Sequence, residues 1–223
     1  MILLALDTST AQTGLALYNE DQVLGEMSWY SHYRQTVELA PAIDGLLKRL
    51  NLKIDTIAAI GVAIGPGSFT SLRVGLALAK GLSLALHIPL IGIPTLDILA
   101  ASIPVYDIPL AAVLQAGRGR LAVGWYHADS GSWQSDGPAA TFTAEELVDQ
   151  INSPTLVCGE LQSEERQRLA RKYRNVTIPS PANCVRRSGI LAELAWNRWK
   201  AGEIDISAPL APIYLPTSGI PQE

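Results

Sequence analysis

The chain has 223 residues, of which 48% are hydrophobic and 17% charged, and its formal net charge is −4 at pH 7. This composition excludes a disordered chain, and the acidic balance argues against a free-standing nucleic-acid binder, which carries a basic face. Cys158 and Cys184 lack metal-site spacing, which favours a reducing cytoplasm. The opening residues MILLALD are too short and too soon acidic for a signal peptide, and no run of 18 apolar residues predicts a membrane span.

The first half predicts alternating strands and helices separated by polar turns. In chain order these are strand 2–7, strand 14–19, strand 23–30, helix 36–50, strand 56–64, helix 71–86 and strand 90–93. Pro41 has to lie near the first turns of its helix or kink it. A Gly-Pro-Gly turn at 65–67 precedes the second helix, and Ser68 or Thr70 can cap the N–H groups that follow.

Helix 71–86 is apolar on nearly all sides. Between Ser71 and His87 only Arg73, Lys80 and His87 can carry charge, and their spacing places them on one stripe. A surface helix of a globular domain normally has a broad polar face. Either the chain itself covers this helix on both sides, or a second protein covers part of it.

The second half repeats the order of the first, with strands joined by polar turns and then a helix. Its predicted elements are strand 110–116, strand 121–127, an extended stretch, helix 143–151, strand 155–160, helix 162–173 and helix 187–203, the last capped by Ser188. A shift of 108 residues places Asp7 on Gln115 and Tyr18 on Tyr126. We interpret the repeat as an internal duplication in an α/β fold, with subdomains at 1–105 and 106–223. The proline-rich stretch 208–222 predicts an extended surface tail that packs back on the first subdomain.

The DTST turn, residues 7–10, admits two interpretations. Its carboxylate and hydroxyls can hold a phosphate or a metal-bound water, and the same residues also make an ordinary hairpin turn. The GPGSFT segment matches neither the Walker loop nor G-x-G-x-x-G, because Thr70 stands where each motif requires a glycine. A helix N-terminus can still bind an anion, but a capped turn explains the same residues.

The residue types that would carry catalysis are missing from the expected positions. Phosphoryl transfer in a cleft between two such halves needs carboxylates from both, and Gln115 stands where the first half has Asp7. His32, His87 and His127 form no H-x-x-x-H pair, which excludes a helical two-histidine metal site. No G-x-S-x-G elbow occurs, and neither cysteine has a nearby histidine. The sequence therefore predicts no catalytic residue, no cofactor and no metal.

Four segments, ALDTST, GPGSFTSLRVGLALAKGL, IPLIGIPTL and PIYL, together resemble the TsaB (YeaZ) family across nearly the whole chain. The resemblance implies a duplicated actin-like fold whose two subdomains each have a mixed sheet and helices. It also implies a non-catalytic accessory subunit that supports TsaD, the enzyme that threonylcarbamoylates the adenosine next to the anticodon of tRNA. The other implied partners are a TsaE-like ATPase, a second copy when the chain is alone, and tRNA only through the complex.

Three positions depart from the family pattern. Ser71 stands where the family commonly has glycine, Gln35-Thr36 where the first helix often opens with His-Ser, and Gln115-Ala116-Gly117 where the second hairpin often begins Asp-Ala-Arg. The first change adds a side chain at a helix start. The other two weaken the case for a metal or another ligand.

We predict that helices 36–50 and 71–86 lie side by side and present an apolar surface to another subunit. Gly75, Ala77, Ala79 and Gly81 would allow a close approach of the backbones. The residues predicted to form the contact and its rim are Leu39, Ile43, Leu46, Leu72, Arg73, Leu76, Lys80 and Ser83. The alternative is that helix 71–86 is covered by the chain's own sheet and neighbours.

Two other function classes compete with the accessory subunit. The first is an enzyme, either a residual ATPase using Asp7 and GPGSFT or a glycoprotease-like peptidase, and Gln115 and the missing histidine pair argue against it. The second is a tRNA-binding module, against which the acidic balance argues. Its candidate residues are Arg118 and Arg120, or the basic cluster Arg166, Arg168, Arg171, Lys172 and Arg174, which also fits a solvated helix face.

Overall fold

The computed structural model describes residues 1–32, 34–171, 174–205 and 209–215, which contain strands, helices and two short 3₁₀ helices. The strands are β1 (Ile2–Asp7), β2 (Gln12–Tyr18), β3 (Val23–Tyr30), β4 (Ile57–Ala63), β5 (Leu90–Ile93), β6 (Leu110–Gly117), β7 (Arg120–Asp129), β8 (Ser132–Ser135), β9 (Ala140–Phe142), β10 (Thr155–Gly159) and β11 (Val176–Thr177). The α-helices are α1 (Gln35–Arg49), α2 (Phe69–Leu86), α3 (Thr95–Ala101), α4 (Ala144–Gln150), α5 (Ser163–Ala170) and α6 (Ser188–Lys200). The 3₁₀ helices are Ile54–Thr56 and Pro181–Cys184.

The chain forms two compact units. The first comprises Met1–Ile98 and Arg187–Ile213, and the second comprises Leu99–Arg186 and the end of the chain from Tyr214. The sequence-based boundary after residue 105 differs from this division, because α6 returns to the first unit. There its Leu191, Ala195 and Trp196 side chains are buried against the first sheet.

The first unit is built on a five-stranded sheet in the order β3-β2-β1-β4-β5. The β1–β2 and β2–β3 pairs are antiparallel, whereas β1–β4 and β4–β5 are parallel. Alternate residues of β1 point to opposite faces: Leu4 and Leu6 pack under α1 and α2, and Leu3 and Ala5 pack under α6. Because helices cover both faces, the central strands are apolar throughout.

The second unit has a sheet in the order β11-β10-β6-β7-β8, with β9 paired to β7. Read from the other end, this is the same succession as in the first sheet: an antiparallel three-stranded meander followed by two parallel strands. The matching strand orders support the predicted internal duplication. Val113, Val123, Leu147 and Leu169 contribute to the buried core of this unit.

Two predicted helix starts are resolved by their capping contacts. At α2, Ser68 is the N-cap and its side chain accepts a hydrogen bond from Ser71 N–H at 3.4 Å, so the helix begins at Phe69. The prediction that Ser188 caps α6 is wrong, because Ser188 is the first helical residue. The free N–H of Gly189 is instead satisfied by a carboxylate oxygen of Glu26 on β3 at 3.0 Å. A carboxylate is favourable there because a helix N-terminus carries partial positive charge.

The outer edge of β5 is covered by two side chains and the backbone of Asp205. Asp205 N–H donates to Leu90 O at 3.0 Å, and the Asp205 carboxylate accepts from Gly92 N–H at 2.7 Å. The Arg198 guanidinium donates to Gly92 O at 2.6 Å. Further along, Ile213 N–H donates to Ile64 O at 2.7 Å, while residues 208 and 216–222 of the predicted extended tail lie outside the described residues. These contacts satisfy edge groups that an open sheet leaves available to other chains.

Helix α2 is the one helix of the described residues that is long and apolar enough to cross a bilayer, judged by length and composition. One such helix is weak support for a membrane span, because core helices of soluble proteins have the same character. In this chain Leu76 and Ala79 belong to the core under the first sheet. Leu72 is fully buried as well.

Candidate functional site

The side chains of the DTST turn between β1 and β2 form hydrogen bonds with one another and with neighbouring segments of the same unit. Asp7 is 3% exposed, and one of its carboxylate oxygens accepts from Ser9 N–H at 2.8 Å and from the Ser9 hydroxyl. Ser9 is fully buried, and its Oγ lies 3.1 Å from Thr95 Oγ1. Thr95 Oγ1 in turn accepts from Gly65 N–H at 3.0 Å. The turn is therefore a structural junction between β1, β4 and the start of α3.

The Gly-Pro-Gly turn packs directly on this junction. Ser68 N–H donates to Ser9 O at 2.6 Å, and a Cβ placed on Gly67 would lie 2.2 Å from the same oxygen. Only glycine at position 67 permits this approach. The backbone of the turn before α2 thus packs directly against the backbone of the DTST turn at Ser9.

The first turns of α2 complete the closure. Thr8 Oγ1 donates to Ser71 O at 2.7 Å, and a Cβ on Gly75 would lie 2.1 Å from Thr8 Oγ1. Gln35 of α1 donates through Nε2 to Ser71 Oγ and to Thr10 O, both at 3.4 Å. Two positions that depart from the family pattern, Gln35 and Ser71, are thus hydrogen-bonded to each other. The hydroxyls of Thr8, Ser9 and Ser71 all serve intrachain contacts.

Gln115 is positioned by acceptors of the second unit. Its Nε2 donates to Glu160 O at 3.0 Å and to Glu165 Oε2 at 2.8 Å. Glu165 also accepts from Gln162 N–H at 2.6 Å, which caps α5. The amide of Gln115 therefore serves to connect β6 with the start of α5. Among the described residues, no group of three or more His, Cys, Asp or Glu side chains could hold a metal ion.

The predicted interface residues divide into an interior set and an outer set. The side chains buried within the chain, each at most 5% exposed, are Leu39, Ile43, Leu46, Leu72, Leu76 and Ser83. Arg73 is exposed and its guanidinium lies 3.6 Å above the Phe69 ring, and Lys80 is half-buried. A surface for a second protein therefore has to be formed by the opposite side of α2.

That opposite side borders a groove between α1 and α2 with a volume of about 540 Å³. We call the paired-helix face the set Thr36, Ala40, Phe69, Arg73, Ala77 and Leu84, all but the last of which line the groove. Phe69 is 53% and Leu84 78% exposed, although both are large and apolar. The four α2 residues lie on one stripe, because their spacings are close to whole helical turns. Sequence reasoning missed Phe69 because the predicted helix begins at Ser71. It missed Leu84 because the larger apolar residues were chosen for the contact, although Arg73 and Lys80 mark the stripe on which Leu84 lies.

The predicted basic residues mostly make local contacts. Arg120 Nη2 donates to Thr141 O at 2.8 Å and to Glu146 at 3.1 Å. In the basic cluster, Arg168 pairs with Glu145, and Arg166 Nη1 donates to Pro179 O at 2.9 Å. Lys172 lies outside the described residues. The contacts of Arg166 and Arg168 fit the interpretation of α5 as a solvated helix with local ion pairs.

The chain is similar to known proteins over most of its length. The family model of TsaD, tRNA N6-adenosine threonylcarbamoyltransferase, matches residues 31–205. The tRNA threonylcarbamoyladenosine biosynthesis protein TsaB of Bacillus subtilis is 31% identical over 172 residues, which cover 76% of this chain and 75% of that protein. A tRNA N6-adenosine threonylcarbamoyltransferase of Nitratidesulfovibrio vulgaris is 33% identical over 111 residues, which cover 42% of this chain and 30% of that protein.

A solved structure gives the same result for the fold. YeaZ from Pseudomonas aeruginosa superposes with a TM-score of 0.80 at 26% identity, covering 96% of this chain and 99% of that one. The predicted fold, a duplicated actin-like α/β arrangement with a mixed sheet and helices in each half, is confirmed.

Proposed function

Because the chain belongs to the TsaB (YeaZ) family, we propose that it is a non-catalytic accessory subunit that binds and supports a TsaD-like enzyme in threonylcarbamoylation of tRNA. The relatives' name supports a role in threonylcarbamoyladenosine biosynthesis. The observation that carries the binding role is the paired-helix face. It leaves a phenylalanine and a leucine largely exposed beside an apolar groove.

The dimensions of the paired-helix face suit a protein partner. The 18 residues of α2 and the 15 of α1 make helices about 27 Å and about 22 Å long, and side by side they span a patch of about 500–600 Å², most of the ~800 Å² per partner of a standard interface. Full burial of a phenylalanine or leucine side chain is worth roughly 1.5–3 kcal/mol, so covering the parts of Phe69 and Leu84 that are still exposed contributes about 1–2 kcal/mol each. The partner proposed here is the TsaD-like paralogue. A second copy takes this place when the chain is alone.

The closed DTST turn supports the non-catalytic part of the proposal. A phosphate-binding loop needs N–H and hydroxyl groups that point at the ligand. Here the Thr8 and Ser9 hydroxyls donate to their own chain, and the backbone at Gly67 packs against Ser9 O. Gln115, the counterpart of Asp7, contributes an amide where a magnesium site requires a carboxylate.

The remaining partners follow from the same role. A TsaE-like ATPase supplies nucleotide hydrolysis, and tRNA is reached only through the complex in the cytoplasm. The intrachain contacts of Arg120, Arg166 and Arg168 support this indirect route, because those guanidinium groups already bind carboxylates or carbonyls. The net charge of −4 points the same way.

Co-purification tests the binding role. Ala77→Glu and Leu84→Glu place a carboxylate on the exposed stripe of α2 at positions where helix propensity is kept. The chain is co-expressed with the TsaD-like paralogue, and the complex is measured by affinity capture and light scattering. We expect both variants to fold with unchanged circular dichroism and to lose the paralogue and the self-dimer.

The matched control is Ile204→Glu, which alters a residue of the same unit that is 56% exposed but lies outside α1 and α2. It should retain both associations. If Ala77→Glu and Leu84→Glu still bind the paralogue as tightly as the unaltered chain, the paired-helix face is not the docking surface.

A separate assay addresses the enzymatic alternative. The purified chain should show no magnesium-dependent ATP turnover above the level of an Asp7→Asn variant. A rate that the unaltered chain has and the variant loses would replace the accessory role with a residual ATPase.

A further inference from the structure

Both cysteines of the chain lie in the second unit, where the fold brings their sulfur atoms together. Cys158 in β10 is fully buried, and Cys184 ends the 3₁₀ helix with 6% exposure. Cys158 Sγ lies 3.6 Å from the carbonyl oxygen of Asn183, the neighbour of Cys184. The Cys158 thiol and the Gly159 N–H are the groups of this segment that act on the Cys184 sulfur.

The surroundings shift the pKa values of the two cysteines in opposite directions. The Cys158 thiol, the Gly159 N–H and the Arg166 guanidinium all act on Cys184, and together they lower its pKa against the opposing effect of burial. The hydrogen bond to Cys184, followed by burial, raises the pKa of Cys158. The pKa of Cys184 is thus lowered and that of Cys158 is raised, and Cys184 is also the more exposed of the two. This division is typical of an attacking and a resolving cysteine.

Backbone geometry holds the donor in place. Gly159 has a φ of 137°, and a Cβ there would lie 1.9 Å from Val113 O. Only glycine fits, so the chain turns sharply after Cys158 and directs the Gly159 N–H toward Cys184. Arg166 is fixed by its bond to Pro179 O at 2.9 Å. Cys184 Sγ itself lies 3.7 Å from the same carbonyl oxygen.

Cys184 lies just below the surface, with 6% exposure. The three residues before it, Pro181, Ala182 and Asn183, are all exposed. Nothing in the accessory role uses these thiols, which lie outside the unit that carries the paired-helix face.

We propose that Cys158 and Cys184 are a redox pair that hydrogen peroxide converts into an intramolecular disulfide. The Cys184 thiolate attacks one peroxide oxygen, the O–O bond breaks, and the departing hydroxide takes up a proton to become water. Cys184 is then a sulfenic acid. The Cys158 sulfur attacks it and gives up its proton as the S–O bond breaks, which releases a second water. Two electrons pass from the sulfurs to the peroxide, so two thiols and one peroxide give one disulfide and two waters.

Thiol counting and peptide mapping on the full chain test the proposal. The reduced protein is treated with a small excess of hydrogen peroxide, unfolded, and titrated with a thiol reagent. We expect two thiols per chain before treatment and none after it, with both restored by dithiothreitol. Mass spectrometry without reduction should show the Cys158 and Cys184 peptides joined, within a chain that has not become a covalent dimer.

Variants separate the two roles. In Cys158→Ser, dimedone should trap a sulfenic acid on Cys184, whereas in Cys184→Ser the remaining Cys158 should stay a thiol. Arg166→Gln should slow oxidation about tenfold at pH 5 and only about twofold at pH 7, because a rise of about one unit from a Cys184 pKa of about 6 leaves about a tenth of the thiolate at pH 5 and about half of it at pH 7. The matched control is Arg168→Gln on the same helix, which pairs with Glu145 and should leave the rate unchanged.

Two results overturn the proposal. One is that both thiols persist in the unaltered chain while glutathione in the same solution is consumed. The other is that dimedone labels Cys158 instead of Cys184. If Cys158→Ser does not fold, the peptide map of the unaltered chain decides alone.

Discussion

Alanine substitutions at two glycines of α2, Gly75 and Gly81, should change stability in opposite directions. A Cβ on Gly75 would lie 2.1 Å from Thr8 Oγ1 and 3.1 Å from Thr8 Cβ, well inside contact distance. A Cβ on Gly81 meets nothing within 4 Å. Both changes raise the helix propensity of the same helix by about 1 kcal/mol. The difference between them therefore measures how tightly α2 is pressed on the DTST turn.

The size of the effect at Gly75 is the balance of three terms. Overpacking a closed interior costs about 1–3 kcal/mol. Displacing Thr8 Oγ1 breaks its 2.7 Å hydrogen bond to the buried Ser71 carbonyl, which costs about 1–3 kcal/mol. The helix gains about 1 kcal/mol in return. Gly75→Ala should thus be destabilised by about 1–5 kcal/mol, whereas Gly81→Ala should be stabilised by about 0.5–1 kcal/mol.

Urea unfolding followed by circular dichroism gives both numbers, together with a double-mutant cycle. Thr8→Ala removes the hydroxyl and methyl groups that a Cβ at position 75 would meet. Thr8→Ala/Gly75→Ala should therefore lose less stability than the two single changes added together, by at least about 1 kcal/mol. If Gly75→Ala is as stable as Gly81→Ala, or if the cycle shows no coupling, α2 is not packed tightly against Thr8.

Three further contacts within the two units give expected outcomes of their own. Arg186→Leu should lower the free energy of unfolding, measured with urea, by about 2–4 kcal/mol, because the Arg186 side chain is only 2% exposed in its ion pair with Glu160. Arg187→Leu should lower it by less than about 1 kcal/mol, because the Arg187 side chain in its pair with Glu26 is exposed. Asp205→Ala should leave the β5 edge with an unpaired amide and make the chain aggregate sooner on heating, as light scattering would show; an unchanged onset temperature would argue against edge protection. The hydrogen bond from Trp29 lowers the pKa of Glu38 below its ordinary value of 4.5, so its contribution is present above pH 4.5 and lost as the pH falls through the folded-state pKa. Glu38→Gln should accordingly reduce stability at pH 7 and converge with the unaltered chain near pH 2, and a constant difference across that range would contradict this.

The sequence predicts elements well where an apolar run ends at turn residues. β1, β3 and β5 begin and end at the predicted positions, because polar residues, glycine or proline bound each run. The sequence does not predict α3, which lies between Pro94 and a proline-rich stretch. Its seven residues are too few to show a clear helical period. The contact at the N-terminus of α6 also cannot be predicted from the neighbouring sequence, because Glu26 lies on a strand 163 residues before Gly189 in the chain.

The orientation of α2 shows why the candidate surface was harder to predict than the fold. Helix α2 has only a narrow charged stripe, formed by Arg73, Lys80 and His87, so its large apolar residues on the other sides all remain candidates for an outward contact. What sets its rotation is the contact between Gly75 and Thr8, which turns Leu72 and Leu76 inward and leaves Phe69 outside. Most of the predicted interface residues were large apolar side chains, and these are the side chains that the first unit buries in its core. The groove depends on a tertiary contact that no local pattern in the sequence encodes.

The discontinuous first unit has a consequence for how the chain is made. Its sheet is complete after the first 98 residues, but one face of that sheet is covered by α6, which comes after residue 187. During synthesis the ribosome therefore delivers nearly all of the second unit before Leu191 and Trp196 emerge to cover Leu3 and Ala5. The half that is translated first is completed last, and a stall before residue 187 would leave a nascent chain with a bare apolar sheet face exposed to chaperones and proteases.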